Sequence, residues 1–537
     1  MKKLIVLFGA AVLALCSCQK ESPVIEETFE VPETPAISIT YKLDATHPDG
    51  AATKAVKTDW ETGDVIFVFF SGSAAPGYLE MKWNGSQWNY TEKNNLTIQD
   101  NQTGTMHAVY QPFGNDNQVV ADGYGRWRFR DIHFCYYLQD TQSYTITDGQ
   151  VSGTFNMSIP EGFVQFFLDD PDADSSQEME LREPNLTPLG VFNVHPTLGP
   201  GAAVTDDGAP LTGYVYDKEN KASGEQKGWL FSGVLNSSAR GVETDYHFTL
   251  VKGGWQGVYY QKSFLNKQYY TGPSERRALK IPVLSTWTEV TEHKPIDLGT
   301  SIWGEFKRIY WSSRNLGASA DIPAEDSDAA RKATWGDYYA WGATEPHYLE
   351  GHAYDNPCND WKTGMERYTW ESYPFSGDHG RSIFKYTIPD GEDDADWYDS
   401  FGQFIGDNKT VLEKDDDAAS KALKGTWRMP DSDEWALLMD EASFTRTYDS
   451  GKQGVILTSK IPGYEGRSIF LPLAGYRYFA NLEKGEQYGR YWTCSLNADP
   501  QDGRTTEAKL IEVSHYPSMD IIMWRRYDGC SIRPVCN

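Results

Sequence analysis

The chain has 537 residues, a net charge of −27 and an aromatic content of 14%. A surface that negative repels phosphate backbones, so nucleic-acid binding is disfavoured. With 39% apolar and 23% charged residues, collagen, coiled coil and a wholly disordered chain are excluded, and the length suits about three to five domains.

The N-terminus reads as a processing segment. Lys2 and Lys3 precede an apolar run over 4–15, too short to remain as a spanning helix, and no later stretch approaches about 18 uninterrupted apolar residues. Leu15-Cys16-Ser17-Cys18 matches the bacterial lipobox, so 1–17 is a lipoprotein signal peptide and Cys18 the acylated first residue. Acyl chains rather than protein then hold the mature chain to the membrane. Gln19, Lys20, Glu21 and Ser22 resemble the short signal that sends Bacteroidetes lipoproteins to the outer face of the outer membrane, which implies a lipid-anchored location facing outside. Residues 18–37, rich in Pro and Glu, read as a stiff acidic tether.

From 38 to 171 the pattern is strand after strand. Val65–Phe70 is a continuous apolar run of strand length. The segment 81–90 crosses Asn84-Gly85 between Trp83 and Trp88, a hairpin signal; 132–138 and 164–168 repeat the theme. The charge-dense stretch 169–183 reads as a linker or long surface loop. A second all-β unit is expected over 181–290, with strands near 213–216, 246–251, 257–260 and 279–284. The texture changes in 295–537, which holds 11 of the 18 tryptophans and the clearest helix signals. Asp431 ahead of Glu434 is a capping box before Trp435, Leu437, Leu438 and Met439. Asp415 to Asp417 precede 418–423, and Gly425 ends that helix. The expected fold class is mainly β with an α+β C-terminal module.

Two resemblances sharpen this. Thr58-Asp59-Trp60-Glu61-Thr62-Gly63-Asp64-Val65-Ile66 resembles the Thr-x-Trp-x-x-Gly-Asp turn of fimbrillin-like (Mfa-like) Bacteroidetes proteins. That implies two transthyretin-like β-sandwich domains across about 38–290, with Trp60 plugging the end of the first. Resembling pilins are matured by cleavage after an Arg near the first strand. The first Arg here is Arg126, a departure that sets assembly by that route in question. The C-terminal region is similar to the Fibrobacter succinogenes major paralogous domain in six ordered blocks. These include Trp335 to Gly342, 407–413, Trp427-Arg428-Met429-Pro430 with Glu434-Trp435, 469–477, Tyr491-Trp492 and Ser531 to Val535. The resemblance implies a C-type-lectin-like fold over 295–537, related to the formylglycine-generating architecture.

Chemistry is less visible than class. His-Glu-x-x-His, Gly-x-Ser-x-Gly and the phosphate-cradling Gly-x-x-x-x-Gly-Lys are all missing from the sequence, so no enzyme is expected. Arg428 and Glu434 read as a loop brace and a helix cap, and Cys494 as a substitution rather than a nucleophile. Past the leader five cysteines remain; an odd count leaves at least one thiol free, and Cys530 and Cys536 can pair with each other or with Cys358. No metal ligands are assigned; the acidic loop 390–399 offers oxygen ligands for calcium without EF-hand spacing. Glu183-Pro184-Asn185 spells a lectin sugar-binding tripeptide in the wrong domain and reads as coincidence.

The leading functional expectation is a surface adhesin or glycan-binding protein, with a fimbrial tip subunit as one form of it. The alternative is a structural or accessory fimbrial subunit without a ligand of its own; a surface enzyme ranks third. Rings offer apolar faces to sugar C–H surfaces while carboxylates and amides take hydroxyl hydrogens. The candidate ligand-binding residues are Tyr354, Trp361, Tyr368, Trp370 and Trp397 with Asp355, Asn359 and Asp360. Expected partners are a glycan or a host or bacterial surface ligand, possible fimbrial subunits, and the membrane through the acyl anchor.

Overall fold

Val65–Phe70 is apolar at every position because it is the middle strand of a five-stranded antiparallel sheet and is covered on both faces. In the computed structural model of the chain, the described residues are 40–46, 59–71, 77–93, 96–99, 101–110, 119–121, 126–129, 138–159, 161–188, 191–193, 211–217, 227–269, 278–302, 307–347, 367–377, 382–389, 397–461, 463–499 and 503–537. Cys18, the tether, Cys358 and the loop residues Tyr354, Asp355, Asn359, Asp360 and Trp361 lie outside them, as do 390–396 and nearly all of the expected strand 132–138.

The first sheet runs Trp88–Lys93, Tyr78–Trp83, Val65–Phe70, Thr103–Tyr110, Leu138–Thr145. The expected hairpin is present: Trp83 faces Trp88, Gly85 has φ +101°, and the Asn84 side chain accepts from the Ser86 and Gln87 N–H groups at 2.9 and 3.0 Å. Thr40–Thr46 pairs in parallel with Gln150–Asn156 and lends Leu43 and Ala45 to the core. Trp60 sits where its turn predicts. Gly63 takes φ +103°, open only to glycine without strain, and the Asp64 carboxylate accepts from the Glu61 N–H at 2.8 Å. The Trp60 indole donates to Ala45 O at 2.8 Å and meets Trp88 and Tyr110 edge-on at 5.1 and 4.9 Å.

Two further sheets face each other across a second core. One runs Leu186–Pro188, Lys227–Leu235, Phe163–Asp169, Ala278–Ile281, with Tyr214–Asp217 also on Lys227–Leu235; the other runs Leu211–Thr212, Met179–Arg182, Thr244–Lys252, Val258–Lys267, Thr288–Val290. This corrects two expectations. Phe163–Asp169 pairs with Lys227–Leu235 and Ala278–Ile281, not with the strands before it, so the second unit begins ahead of the 171 boundary. Met179–Arg182 is an inner strand rather than part of a linker. Its charges mislead because Glu180 and Arg182 pair with each other and Glu180 also meets Arg467 from far along the chain. Val191–Asn193 then returns to pair with Arg126–Phe129, so the chain crosses back once.

In the C-terminal region, Tyr488–Leu496, Glu507–Ser514 and Met519–Arg525 form an antiparallel sheet. Strand alternation sends Trp492, Leu496, Ala508 and Leu510 into one core and Tyr491, Ile511, Val513 and Met519 into another. Both expected helices form. Asp431 and Glu434 make the reciprocal capping box of Ser432–Met439. Asp417 caps Ala418–Leu423 through the Ser420 N–H, while its other oxygen accepts from the Met429 N–H at 2.7 Å. Arg428 reaches both Glu434 oxygens and also Asn537 at 3.1 Å, which is the brace expected of it. Cys494, Cys530 and Cys536 are unpaired and buried, so Cys530 and Cys536 do not bridge. No helix among the described residues is long and apolar enough to cross a membrane.

An ion cluster joins the second sandwich to this region. Glu180 is bound by Arg182 at 2.8 Å and by Arg467 at 2.9 Å. Arg182 also donates to Pro295 O at 2.7 Å and lies over the Tyr259 and Tyr310 rings. Val251 and Tyr259 share a core with Trp311 and Leu457. Burial alone would raise the Glu180 carboxyl; the two guanidinium groups outweigh it and hold the carboxyl below its ordinary value. Replacing one member of a buried pair leaves the other charge uncompensated, at about 3–5 kcal/mol. Glu180→Ala is therefore expected to lower the thermal transition by that order and to let limited proteolysis release the C-terminal region. A variant that melts and digests like the parent would show the joint to be inert.

Candidate ligand-binding site

Sequence alternation builds the site. In Tyr476–Tyr478 the two tyrosines share one half-exposed face, while Arg477 turns inward over Tyr338. Across from them runs the edge strand Met519–Arg525, which pairs on one side only among the described residues and presents Ile522 and Trp524 on the same side. Tyr476 and Trp524 meet edge-on at 5.6 Å. The Arg490 guanidinium lies 3.9 Å from the Tyr476 centroid and 3.8 Å from that of Trp524. Arg525 lies over Tyr478, Trp524 and Tyr527 at 4.7, 5.4 and 5.5 Å, and Tyr527 meets Trp370 at 4.9 Å. The result is a half-buried strip in which rings and guanidinium groups alternate. Each cation on a ring contributes about 0.5–2 kcal/mol, so the strip is stiff before any ligand arrives.

A carboxylate lies under the strip. Asp528 is fully buried, accepts from the Trp524 indole at 2.7 Å and faces Arg525 at 3.6 Å. Burial pushes its carboxyl from 3.8 up to about 7, with Arg525, the indole hydrogen bond and Arg490 opposing.

Of the three expected ligand-binding residues among the described ones, Tyr368, Trp370 and Trp397, the structure brings Trp370 to this strip. Tyr368 is wholly covered: its hydroxyl donates to Tyr338 O at 2.5 Å and its ring stacks on His347 at 4.1 Å. Trp397 packs on Ile383 in a small covered cluster that Trp370 and Phe404 border. A covered ring cannot stack on a ligand, so both are corrected to supporting residues. Both were chosen for residue type in a loop, which carries no information on burial. Trp524, Arg525, Tyr476 and Tyr478 were missed, as were Arg490 and Tyr527, which are buried and support them. Their signal is present as ring and arginine interleaved in Tyr-Arg-Tyr and Trp-Arg-Arg-Tyr.

The other chemistry-bearing groups serve structure. Glu183 accepts from the Asn185 N–H at 2.7 Å and from its amide at 3.2 Å, so the Glu-Pro-Asn tripeptide braces its own turn. Burial drives the Cys494 thiol well above its ordinary value, the reverse of an activated nucleophile. Asp399 accepts from the Phe401 and Gln403 N–H groups at 2.9 and 2.8 Å. No group of three or more His, Cys, Asp or Glu among the described residues could hold a metal ion.

No family model matches the sequence, and no curated protein does. Among solved structures the chain is similar to a proposed cell adhesion protein of Bacteroides ovatus, at 14% identity and a TM-score of 0.24, over 47% of this chain and 94% of that one. It is similar to a proposed cell adhesion protein of Bacteroides fragilis at 13% identity and a TM-score of 0.23, over 47% and 94%. The fimbrial anchor protein Mfa2 from Porphyromonas gingivalis is similar at 12% identity and a TM-score of 0.22, over 39% and 76%. Identities and scores this low leave function to be argued from the residues of this chain.

Asp528 makes stability depend on pH. Its folded pKa lies above the unfolded one, so the folded state holds the extra proton and its contribution is complete below about pH 4 and lost as pH rises through about 7. At about 1.4 kcal/mol per pH unit that span is worth about 4 kcal/mol. Asp528→Asn keeps the acceptor for Trp524 and removes the titration. The variant is expected to gain stability over the parent between pH 4 and pH 8 by that order, measured by denaturant unfolding. Parallel pH profiles would remove Asp528 as the cause.

Proposed function

We propose that this protein is a surface-displayed, lipid-anchored adhesin whose C-terminal, C-type-lectin-like module binds glycan on the ring–guanidinium strip. The observation that carries the reading is the strip itself: Tyr476, Tyr478 and Trp524 remain partly exposed and are held by Arg490 and Arg525, with Trp370 beside them on Tyr527. Rigid rings cost little entropy to immobilise and offer flat apolar faces to sugar C–H surfaces, with guanidinium N–H donors beside them for hydroxyl oxygens. The lipobox at Cys18 and the acidic stretch after it support display on the outer membrane, facing outside, through acyl chains. The turn around Trp60 and the two preceding all-β cores support a fimbrillin-like stalk of transthyretin-like domains, and with it fimbrial subunits as further partners.

The module is read as non-catalytic. Arg428 and Glu434, in the block that resembles the formylglycine-generating architecture, bind each other, and the Cys494 thiol, read as a substitution, is held protonated, so these groups serve structure.

A glycan array probed with the full chain tests the reading. Binding is expected, and Tyr478→Ala and Trp524→Ala are each expected to weaken it by about 2 kcal/mol, roughly 30-fold, with unchanged near-ultraviolet circular dichroism. An array without binding would leave a fimbrial subunit that carries no ligand of its own.

A further inference from the structure

The two arginines of the strip are not equivalent. Arg490 is committed: Glu512 holds it at 2.7 and 2.6 Å, two rings enclose it, and its side chain is 9% exposed. The Arg525 side chain is 41% exposed. Its closest carboxylate among the described residues is Asp528, 3.6 Å away, beyond a good hydrogen bond and already engaged by the Trp524 indole. Glu507 stands directly opposite Arg525 in the strand ladder, yet it accepts from the Asn497 amide at 3.3 Å. The Tyr478 and Tyr527 hydroxyls also engage the guanidinium, but it has five N–H donors in a planar fork, and among the described residues no carboxylate other than Asp528 comes within 4.0 Å of it.

We propose that Arg525, framed by Tyr478, Trp524 and Tyr527, is the anion-reading element of the strip, and that the ligand is a saccharide bearing a carboxylate. The assignment rests on the glycan reading above and narrows it. The sugar's C–H face lies on the rings while its carboxylate takes the outward edge of the guanidinium fork in two parallel hydrogen bonds, a geometry that lysine's single ammonium cannot supply. Stacking over three rings fixes the plane of the fork in advance. Asp528, buried behind it and protonated in part near neutrality, leaves the guanidinium without a full counter-charge where the ligand would provide one. The net charge of −27 opposes an anionic ligand only at long range: at physiological ionic strength the Debye length is about 8 Å, so charges within one side-chain length of Arg525 decide the outcome.

Titrating the full chain with oligogalacturonate and with 3′-sialyllactose, each beside its neutral methyl ester, tests the proposal, with dextran sulfate as a third arm. At least one acid is expected to bind tenfold or more tighter than its ester. Arg525→Gln is expected to abolish that preference, bringing acid and ester to the same affinity with near-ultraviolet circular dichroism unchanged, and Arg525→Lys to restore only part of it. Equal binding of acid and ester would overturn the carboxylate assignment and leave the glycan reading standing. Dextran sulfate binding as tightly as the acids would replace it with general anion attraction. Failure of every saccharide, on the array as well, would remove the glycan reading itself.

Discussion

The C-terminal region depends on a buried guanidinium that, among the described residues, no carboxylate hydrogen-bonds. Arg526 is wholly covered and donates to Tyr373 Oη at 2.8 Å and to the carbonyls of Tyr386, Thr505 and Lys385 at 2.9, 2.8 and 3.0 Å. The rings of Trp341 and Tyr373 face it at 4.8 and 5.2 Å. Burial lowers its pKa, so the hydrogen bonds and rings together offset a real desolvation cost. What that cost secures is backbone order. Segments such as 383–388 and 503–506 have little sheet pairing of their own, and a buried carbonyl without a donor is expensive. One side chain supplies three of them. Arg533 repeats the device for Ser312 O and Phe470 O, at 2.9 and 2.6 Å.

The same pin sets the strip. Arg525 and Arg526 are neighbours, so fixing Arg526 inward fixes Arg525 outward, and the turn that carries Tyr527 and Asp528 follows. A binding surface held by a neighbour's buried anchor needs little reorganisation when a ligand arrives. At the other end of the region, the Glu180 cluster ties the first strands after 290 to the second sandwich, so a force applied at the strip passes into packed strands and ion pairs rather than into a free connector. Both devices use arginine for one reason: its planar, always-charged fork can serve several acceptors from inside a core.

Period and capping signals were legible where the local chain decides the outcome. Val65–Phe70, the Asn84-Gly85 hairpin, the turn at Trp60 and both helices with their caps could be read directly, because each depends on residues within a few positions. Strand partnership could not. Phe163–Asp169 is equally apolar whichever sheet it joins, and Met179–Arg182 looks solvated until Arg467 is brought to Glu180 from almost 290 residues away. Burial of individual rings was the second blind spot. Tyr368 and Trp397 share a composition with Trp370, but only the packed core separates a ring with a free face from one without. The strip was spelled out in Tyr-Arg-Tyr and Trp-Arg-Arg-Tyr, yet nothing local states that two strands 46 residues apart are brought side by side.

The place of the strip follows from the sheet. Tyr488–Leu496 and Glu507–Ser514 face a core on each side, so of this sheet's three strands the edge strand Met519–Arg525 is the most open. An open edge carrying Ile521 at 36% and Met523 at 41% exposure is also a template for unwanted strand pairing. Asp520 and Arg525 flank those apolar positions, and a strand docking along this edge would have to desolvate both charges. Arg525 therefore protects the edge in the free protein by the same exposed charge that the proposed carboxylate would meet. A ligand that meets the guanidinium satisfies it from the side, over the rings, and leaves the edge guarded. Recognition and solubility make the same demand of this position: a cation at the end of the strand, stacked and outward.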